Sequence, residues 1–459
     1  MLASFARWRH ARTALQLPLF VITVLMILDG LAGPQLAPKN LATVLTWVYS
    51  RGLIALALLV AGNLFCLACP FMLVRQFVRR FLAPRRSWPR RLRHKWLVLV
   101  LFVAFLYVYE LANLWATPWW TAWLLIGYFA AAVAVDSVYR GASFCKYVCP
   151  LGQFNFIAST LSPLEIKVRT AEVCTTCRGK ECIRGGVGGA RGCELALFQE
   201  RKFGNLDCTF CLDCIHACPY DNVGFLPRLP ASELWSDVWR SGVGRLTQRV
   251  DLAALVVAFT FGALLNAFGM VTPVYAVEAW LAARLGVNAE WVILGIIFLV
   301  GIVVAPLVLL GSAAALARRG AGLAARARAI AVRYSYALAP LGLGVWLGHG
   351  SFHLFSGFWT IIPVVHSALR DLGAVWLGRP HWEWGPLFPM PWLFPLESGF
   401  LLLGWIGSLL VAQRLAANDA PQRWHWAFAP WAALLTLLLA VAMWLLAQPM
   451  EMRATFLAG

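Results

Sequence analysis

Residues 208–219 read CTFCLDCIHACP, a run of four cysteines with a proline directly after the last one. This C-x2-C-x2-C-x3-C-P spacing is typical of segments that bind two [4Fe-4S] clusters, because three closely spaced thiolates ligate one cluster and the fourth reaches the other. Four more cysteines lie within the preceding 35 residues or so. We therefore predict two clusters, one on Cys174, Cys177, Cys182 and Cys218 and the other on Cys193, Cys208, Cys211 and Cys214.

The upstream cysteines are spaced less regularly, as C-x2-C-x4-C followed by Cys193, and no proline follows Cys193. A structural zinc site is the main alternative, since two C-x2-C pairs can provide four zinc ligands. Eight cysteines that include the complete run exceed what one zinc ion requires. Metal ligation also explains them better than disulfides, which are typical of small secreted chains.

The composition around this segment is that of a membrane protein. The 459 residues are 61% hydrophobic and 13% charged, and the mean hydropathy is +0.70. The net charge of +18 comes from short basic runs beside apolar stretches, which is a signal of membrane topology rather than of nucleic-acid binding. Stretches of about 20 apolar residues predict nine membrane helices, near 15–32, 42–65, 96–115, 119–139, 251–271, 290–315, 330–352, 392–413 and 427–447.

The basic loop at 75–95 predicts which ends of these helices face the cytoplasm, because Lys and Arg concentrate on the cytoplasmic side. It predicts a cytoplasmic N-terminus, retained as a helix rather than cleaved as a signal peptide, and a tail at 448–459 outside. The resulting fold class is an α-helical polytopic protein of the bacterial inner membrane with a cytoplasmic ferredoxin-like 2[4Fe-4S] insertion. We divide it into a four-helix region (1–140), a membrane-edge linker (141–165), the ferredoxin-like domain (166–230) and a C-terminal region of about five helices (231–459).

Two further cysteine pairs lie at predicted helix ends. Cys66 and Cys69 belong to FCLACPF, and Cys145 and Cys149 belong to FCKYVCPLGQ. The proline after each pair predicts a bent, accessible turn, and basic neighbours such as Arg75 and Lys146 predict a lowered thiol pKa. These four thiols could bind a further iron-sulfur centre, bind or reduce copper, or cycle between dithiol and disulfide; the alternative is a packing role.

The C-terminal half offers His349, His353 and His366 as candidate ligands of a quinone, haem b or a metal. Interfacial histidines bonded to the backbone are the competing interpretation. Asp29, Glu110 and Asp136 near helix ends are candidates for proton transfer, or for helix capping. No hydrolase or dinucleotide-binding motif is visible, so no catalytic residue is assigned.

Together, the edge motifs and the cysteine-rich segment resemble the membrane-bound polyferredoxins of the NosR, NapH and CcoG (RdxA) type, over residues 40–225. The resemblance implies electron transfer between the quinone pool, or a flavin, and a redox partner, within a complex that contains flavin-, haem- or copper-bearing subunits. An alternative that it allows is an assembly factor that reduces or hands over copper for a respiratory enzyme. Unlike in NosR, we expect no flavin-binding domain before the first helix, and the C-terminal half is longer than in NapH or CcoG.

Overall fold

The computed structural model describes residues 2–186 and 189–450, so the predicted outer tail falls mostly outside the described residues. The described chain is largely helical. Among the described residues, seven helices are long and apolar enough to cross a membrane: Ala11–Ala32, Leu41–Ala61, Pro118–Val138, Val250–Phe268, Glu290–Ala321, Met390–Asp419 and Trp424–Leu446. The chain is therefore a multi-pass membrane protein.

The two other predicted spans also coincide with helices, but one of these helices is short and the other is bent. Trp96–Leu111 is apolar and has only 16 residues. Ala327–Ser335 and Leu338–Ser356 form a pair bent by 43°, which makes an eighth span if the pair crosses as one unit. Nine crossings thus stay a prediction, whereas all nine apolar segments are helical.

Two of the long spans contain π-helical stretches, Val44–Ser50 and Val300–Val304. Such stretches are uncommon and occur often at functional sites, because the extra residue in the turn redirects the side chains that follow. Arg51 is the first residue after Val44–Ser50. Its position within a membrane span was not singled out from the sequence.

The chain divides into two compact units. The first consists of Met1–Val24, Leu56–Leu101 and Leu124–Asp251, and the second of Leu25–Ala55, Phe102–Trp123 and Leu252–Gly459. All twelve cysteines belong to the first unit, and the three candidate histidines belong to the second.

In the first unit, a two-stranded antiparallel sheet brackets the cysteine-rich segment. Strand Leu164–Val168 pairs with Val223–Pro227, so that Ile166 lies opposite Phe225. The ends of the segment are thereby held together. The short helices of this unit are Leu2–Arg7, Leu64–Ala68, Pro70–Val78, Ser143–Tyr147, Pro150–Ala158, Ala171–Thr176, Glu181–Arg184, Asp213–Ala217 and Ser232–Trp235.

In the second unit, glycines allow the helices Leu338–Ser356 and Leu393–Asp419 to approach closely. A Cβ at Gly344 would lie 2.8 Å from the carbonyl oxygen of Phe400, and one at Gly404 would lie 2.7 Å from that of Pro340. Small residues at such crossings are typical of membrane helix packing. The shorter helices of this unit are Pro273–Leu285 and Ile361–Asp371.

Candidate iron-sulfur site

The cysteine-rich segment is wound into tight loops. Six of the eight described non-glycine residues with positive φ fall between Cys174 and Asp221: Lys180, Ala196, Asp207, Phe210, Leu212 and Asp221. Phe210 and Leu212 flank Cys211 and have φ of 56° and 67°. Left-handed conformations cost free energy in residues with a Cβ and cluster at functional sites. This winding suits a loop that turns successive thiols toward one centre.

The thiols predicted for the first cluster lie near one another. The Asn222 side chain is 3.3 Å from Cys174 Sγ, and its backbone nitrogen is 3.4 Å from Cys218 Sγ. Burial raises the pKa of the Cys182 thiol, and its neighbours Cys174, Cys218 and Cys177 raise it further. Cys218 therefore lies with the upstream cysteines, although it belongs to the downstream run in the sequence.

The thiols predicted for the second cluster form a separate group. Burial raises the pKa of Cys193 to about 11, with a further contribution from Cys208. Burial also raises the pKa of Cys214, to which Cys193 and Cys208 contribute. Cys193 thus lies beside the downstream run, as the crossed assignment requires.

Several thiols packed closely together fit a cofactor that takes thiolate ligands, because ligation removes the thiol protons. Within residues 2–186 and 189–450, no three His, Cys, Asp or Glu side chains are grouped so that they could hold one metal ion. A four-iron cluster spreads its thiolates around a larger core than a single ion does. The ligand sets remain predictions for the [4Fe-4S] clusters.

The membrane-edge motifs share one backbone arrangement. Cys66 lies in the helix Leu64–Ala68, and Cys69 precedes the helix Pro70–Val78. In the other motif, Cys145 lies in Ser143–Tyr147 and Cys149 precedes Pro150–Ala158. Each proline is the first residue of a new helix, where its missing N–H has no consequence. The predicted bend is confirmed in both motifs.

The four edge thiols line one pocket, which is also lined by Cys211 and Met72. The expectation of accessible thiols is wrong for Cys66, Cys145 and Cys149, which are buried. The expectation of a lowered pKa is wrong as well, since burial raises the pKa of Cys66 to about 12.

The effect of burial on the thiol pKa outweighs that of the basic neighbours, which are also paired elsewhere. Arg75 forms ion pairs with Asp136 at 2.8 Å and with Glu194 at 2.5 Å. Lys146 Nζ donates to the carbonyl oxygen of Leu195 at 2.8 Å. Asp136, a candidate for proton transfer, is therefore the buried partner of Arg75.

Other buried polar contacts join the edge motifs to the loop of the second cluster. Asn63 Nδ2 donates to the carbonyl oxygen of Cys208 at 2.9 Å, while its Oδ1 accepts from the backbone N–H of Cys66 at 3.3 Å. Lys95 Nζ donates to Asp207 Oδ1 at 2.6 Å, directly before Cys208. Sequence reasoning missed both links, because the partners are separated by more than 100 residues.

In the second unit, His349 and His353 lie on one helix with ring centroids 4.9 Å apart. His366 belongs to the separate helix Ile361–Asp371. Asp29 Oδ2 accepts from the backbone N–H of Leu41 at 2.6 Å, which is a capping contact. Glu110 Oε1 accepts from Asn266 Nδ2 at 2.9 Å.

The fold and the cysteine arrangement define a multi-pass membrane protein, and similarity to a known protein supports a general role in electron transfer. The relative is YccM of Escherichia coli (strain K12), whose curated description as an electron transport protein is itself provisional. The two chains are 31% identical over 87 residues, which are 18% of this chain and 22% of YccM. No protein-family model matches the chain, and no solved structure matches it.

Proposed function

We propose that the protein relays electrons through two [4Fe-4S] clusters, between the quinone pool or an extracytoplasmic redox partner and the cytoplasmic side of a bacterial inner membrane, as a subunit of a redox complex. The observation that carries this proposal is the pocket in which Cys66, Cys69, Cys145 and Cys149 meet Cys211. A predicted ligand of the second cluster thereby lines the same pocket as four further thiols.

The pocket thiols would hold an additional iron-sulfur centre next to the second cluster. Four thiols from two motifs suit such a centre, and its bound metal would supply the one-electron chemistry. Asn155 Nδ2 lies 3.3 Å from Cys66 Sγ, and the backbone N–H of Gly152 donates to Cys149 Sγ at 3.2 Å. Donors aimed at sulfur stabilise the thiolate form and tune the potential of a bound centre.

The protein's own contribution to electron transfer would be to hold the two sites at a fixed separation. Gly62 has φ of 72°, and a Cβ there would lie 2.6 Å from the Phe210 ring. The turn before Cys66 therefore packs against the residue before Cys211, without space for a side chain at position 62. Together with Asn63, this contact fixes the edge motif against the cluster loop.

Cofactor analysis of anaerobically purified protein tests the proposal. Two clusters predict about eight irons and eight sulfides per chain, and an additional iron-sulfur centre at the pocket predicts more. Reduction with dithionite should produce EPR signals of reduced clusters. Zinc with little iron would contradict the proposal. The double variant C66S/C69S should lose the additional centre alone, and the double variant S137A/S232A serves as a control away from the pocket.

A copper-handling role is the second candidate, favoured by one contact. Met72 Sδ lies 3.4 Å from Cys145 Sγ in the pocket wall. Thioether and thiolate sulfurs are the soft ligands that select Cu(I). In this role the clusters would supply the electron that reduces Cu(II), and the pocket would hold the Cu(I) produced for a respiratory enzyme under assembly.

Metal binding by a Met72→Leu variant separates the two functions. If the pocket handles copper, the variant should bind Cu(I) more weakly than the unmodified protein and retain its full iron content. If the pocket holds an iron-sulfur centre, the variant should match the unmodified protein in iron content and show no saturable copper binding. Intact electron transfer to the clusters with normal maturation of copper enzymes in C66S/C69S cells would exclude the assembly role.

A further inference from the structure

Arg51 is a charged side chain in the middle of the membrane span Leu41–Ala61. Its guanidinium lies 5.3 Å from the centroid of the Tyr109 ring and 5.8 Å from that of Trp346. Nη1 donates to the Tyr109 hydroxyl at 3.0 Å, and Nη2 donates to Asn266 Oδ1. Ionisable residues at such a depth are rare and usually mark a functional site.

The charge of Arg51 is compensated through an amide. Asn266 accepts from Arg51 and donates to Glu110 Oε1, so an arginine and a carboxylate are linked by one side chain. This arrangement joins three helices, and it explains how the charge is tolerated. Arg51 has five N–H donors, and the described contacts use two of them.

Two imidazoles lie on the helix that packs against this network. A Cβ at Gly350, which follows His349, would lie only 3.5 Å from the carbonyl carbon of Arg51. His349 is only 1% exposed, and neither of its ring nitrogens has a hydrogen-bond partner; Nε2 of His353 has none either. Buried polar groups in proteins are normally hydrogen-bonded, so these nitrogens indicate an additional partner. Arg51 and His353 are less deeply buried than His349, so this group of three side chains is more open on the side of Arg51 and His353.

The arrangement disfavours two of the ligands that the sequence left open. Residues four apart lie on the same face of a helix, so His349 and His353 cannot coordinate one haem iron from opposite sides. No third His, Cys, Asp or Glu joins them to hold a metal ion in the part of the chain that the structure describes. A neutral organic ligand that accepts or donates hydrogen bonds is compatible with both observations.

We propose that Arg51, His349 and His353 form the headgroup site of a quinone or quinol. Because Arg51 lies in the middle of a membrane span, the ligand must dissolve in lipid. The imidazoles and the guanidinium can form hydrogen bonds with the oxygens of a quinone headgroup. Trp346 provides an aromatic wall beside Arg51. The site deepens the proposed function, which names the quinone pool as one end of the electron path, and it places that end in the second unit.

Binding of decylubiquinone to the full chain in nanodiscs of quinone-free lipid tests the site. Calorimetric titration should show saturable binding with one site per chain. His349→Gln and Arg51→Lys should each weaken the affinity at least tenfold, because the first changes the imidazole donor and the second removes the planar guanidinium. His425→Gln, at an exposed histidine, is the matched control and should bind like the unmodified protein.

Unchanged affinity in both His349→Gln and Arg51→Lys would overturn the site, as would the absence of saturable binding in the unmodified protein. If the unmodified protein showed a haem absorbance that His349→Gln lost, the histidines would bind haem and the quinone site would be overturned. If His349→Gln or Arg51→Lys fails to fold, as judged by circular dichroism, the affinities of the remaining variant and of His353→Gln test the site instead. Iron content and EPR signals, measured on the same samples, report on the proposed electron relay independently of quinone binding.

Discussion

The two predicted cluster sites differ in their surroundings, although one short segment contains both. Cys174, Cys177, Cys182 and Cys218 are all partly exposed. In the second group only Cys193 and Cys211 are partly exposed, whereas Cys208 and Cys214 are buried. The second group is also tied to the edge motifs through Asn63, Lys95 and the shared pocket. In the proposed electron relay, the first site would therefore exchange electrons with a partner in solution, and the second would exchange them inside the protein.

The largest effect should come from removing one ligand of each site. Cys177→Ser and Cys214→Ser should each cost up to about four irons per chain, because each removes one of the four thiolates that hold a cubane. Cys214→Ser should also lower the thermal stability more, since its site is enclosed by protein. Iron analysis and thermal unfolding of the two variants check this. Equal destabilisation would mean that the difference in burial has no energetic consequence.

The same comparison predicts two rates of iron release from the unmodified protein. A chelator such as bathophenanthroline should remove the iron of the exposed site first and that of the buried site more slowly. A single rate for all the iron would show that the sites open together. The Cys177→Ser variant identifies the phases, because it should retain only the slow one.

The next largest effect is expected from disrupting the buried ion-pair network that supports the second site. Glu233 Oε1 accepts from Arg228 Nη1 and from the backbone N–H of Asn205, each at 2.8 Å, just before Cys208. Glu233→Gln should destabilise the protein by about 3–5 kcal/mol, because it leaves buried arginines uncompensated. The exposed pair Arg245–Asp237 is the control, and Arg245→Gln should change the stability by less than about 0.5 kcal/mol.

The network also sets a pH dependence. Burial would raise the pKa of Glu233, but Arg228 and Arg240 outweigh it and lower that pKa below its ordinary value of 4.5. A carboxyl with a lowered folded-state pKa contributes stability above its unfolded pKa and loses it as the pH falls through the folded pKa. Thermal unfolding should therefore show a loss of stability below about pH 4.5 that is smaller in Glu233→Gln.

The contrast between the sites was only partly foreseeable from the sequence. The length of the apolar stretches predicted the helical segments, and the assignment of the eight cysteines to clusters from their spacing stays a prediction. Sequence spacing could not show that Arg75 is neutralised by Asp136 and Glu194, because these partners lie 61 and 119 residues away. The predicted lowering of the thiol pKa failed because the burial of these thiols was underestimated. Arg51 was missed because a single arginine within an apolar stretch leaves the overall hydropathy high.

A smaller effect is expected at Asn63, which joins the edge motif to the buried site. Asn63→Ala removes both its cap on the helix Leu64–Ala68 and its bond to Cys208, and should cost about 1–2 kcal/mol. Asn63→Ser keeps a capping oxygen but is too short to reach Cys208. If the link matters for electron transfer, both variants should shift the EPR signal of the second cluster, while Asn63→Ser should retain more stability.

The smallest effect on stability, and the most specific to the exposed site, is expected at Arg178, which follows Cys177 and is exposed. Arg169 and Arg184 are also exposed near this site, which gives its surroundings a positive charge. Arg178→Glu should leave the stability within about 0.5 kcal/mol. It should slow electron transfer to an acidic soluble carrier and weaken the salt dependence of the rate, because the attraction between the two surfaces falls. Arg245→Glu, at an exposed arginine outside the cysteine segment, should leave that rate unchanged. Equal slowing by the two variants would mean that the carrier senses only the net charge, and that the exposed cluster site is not where it docks.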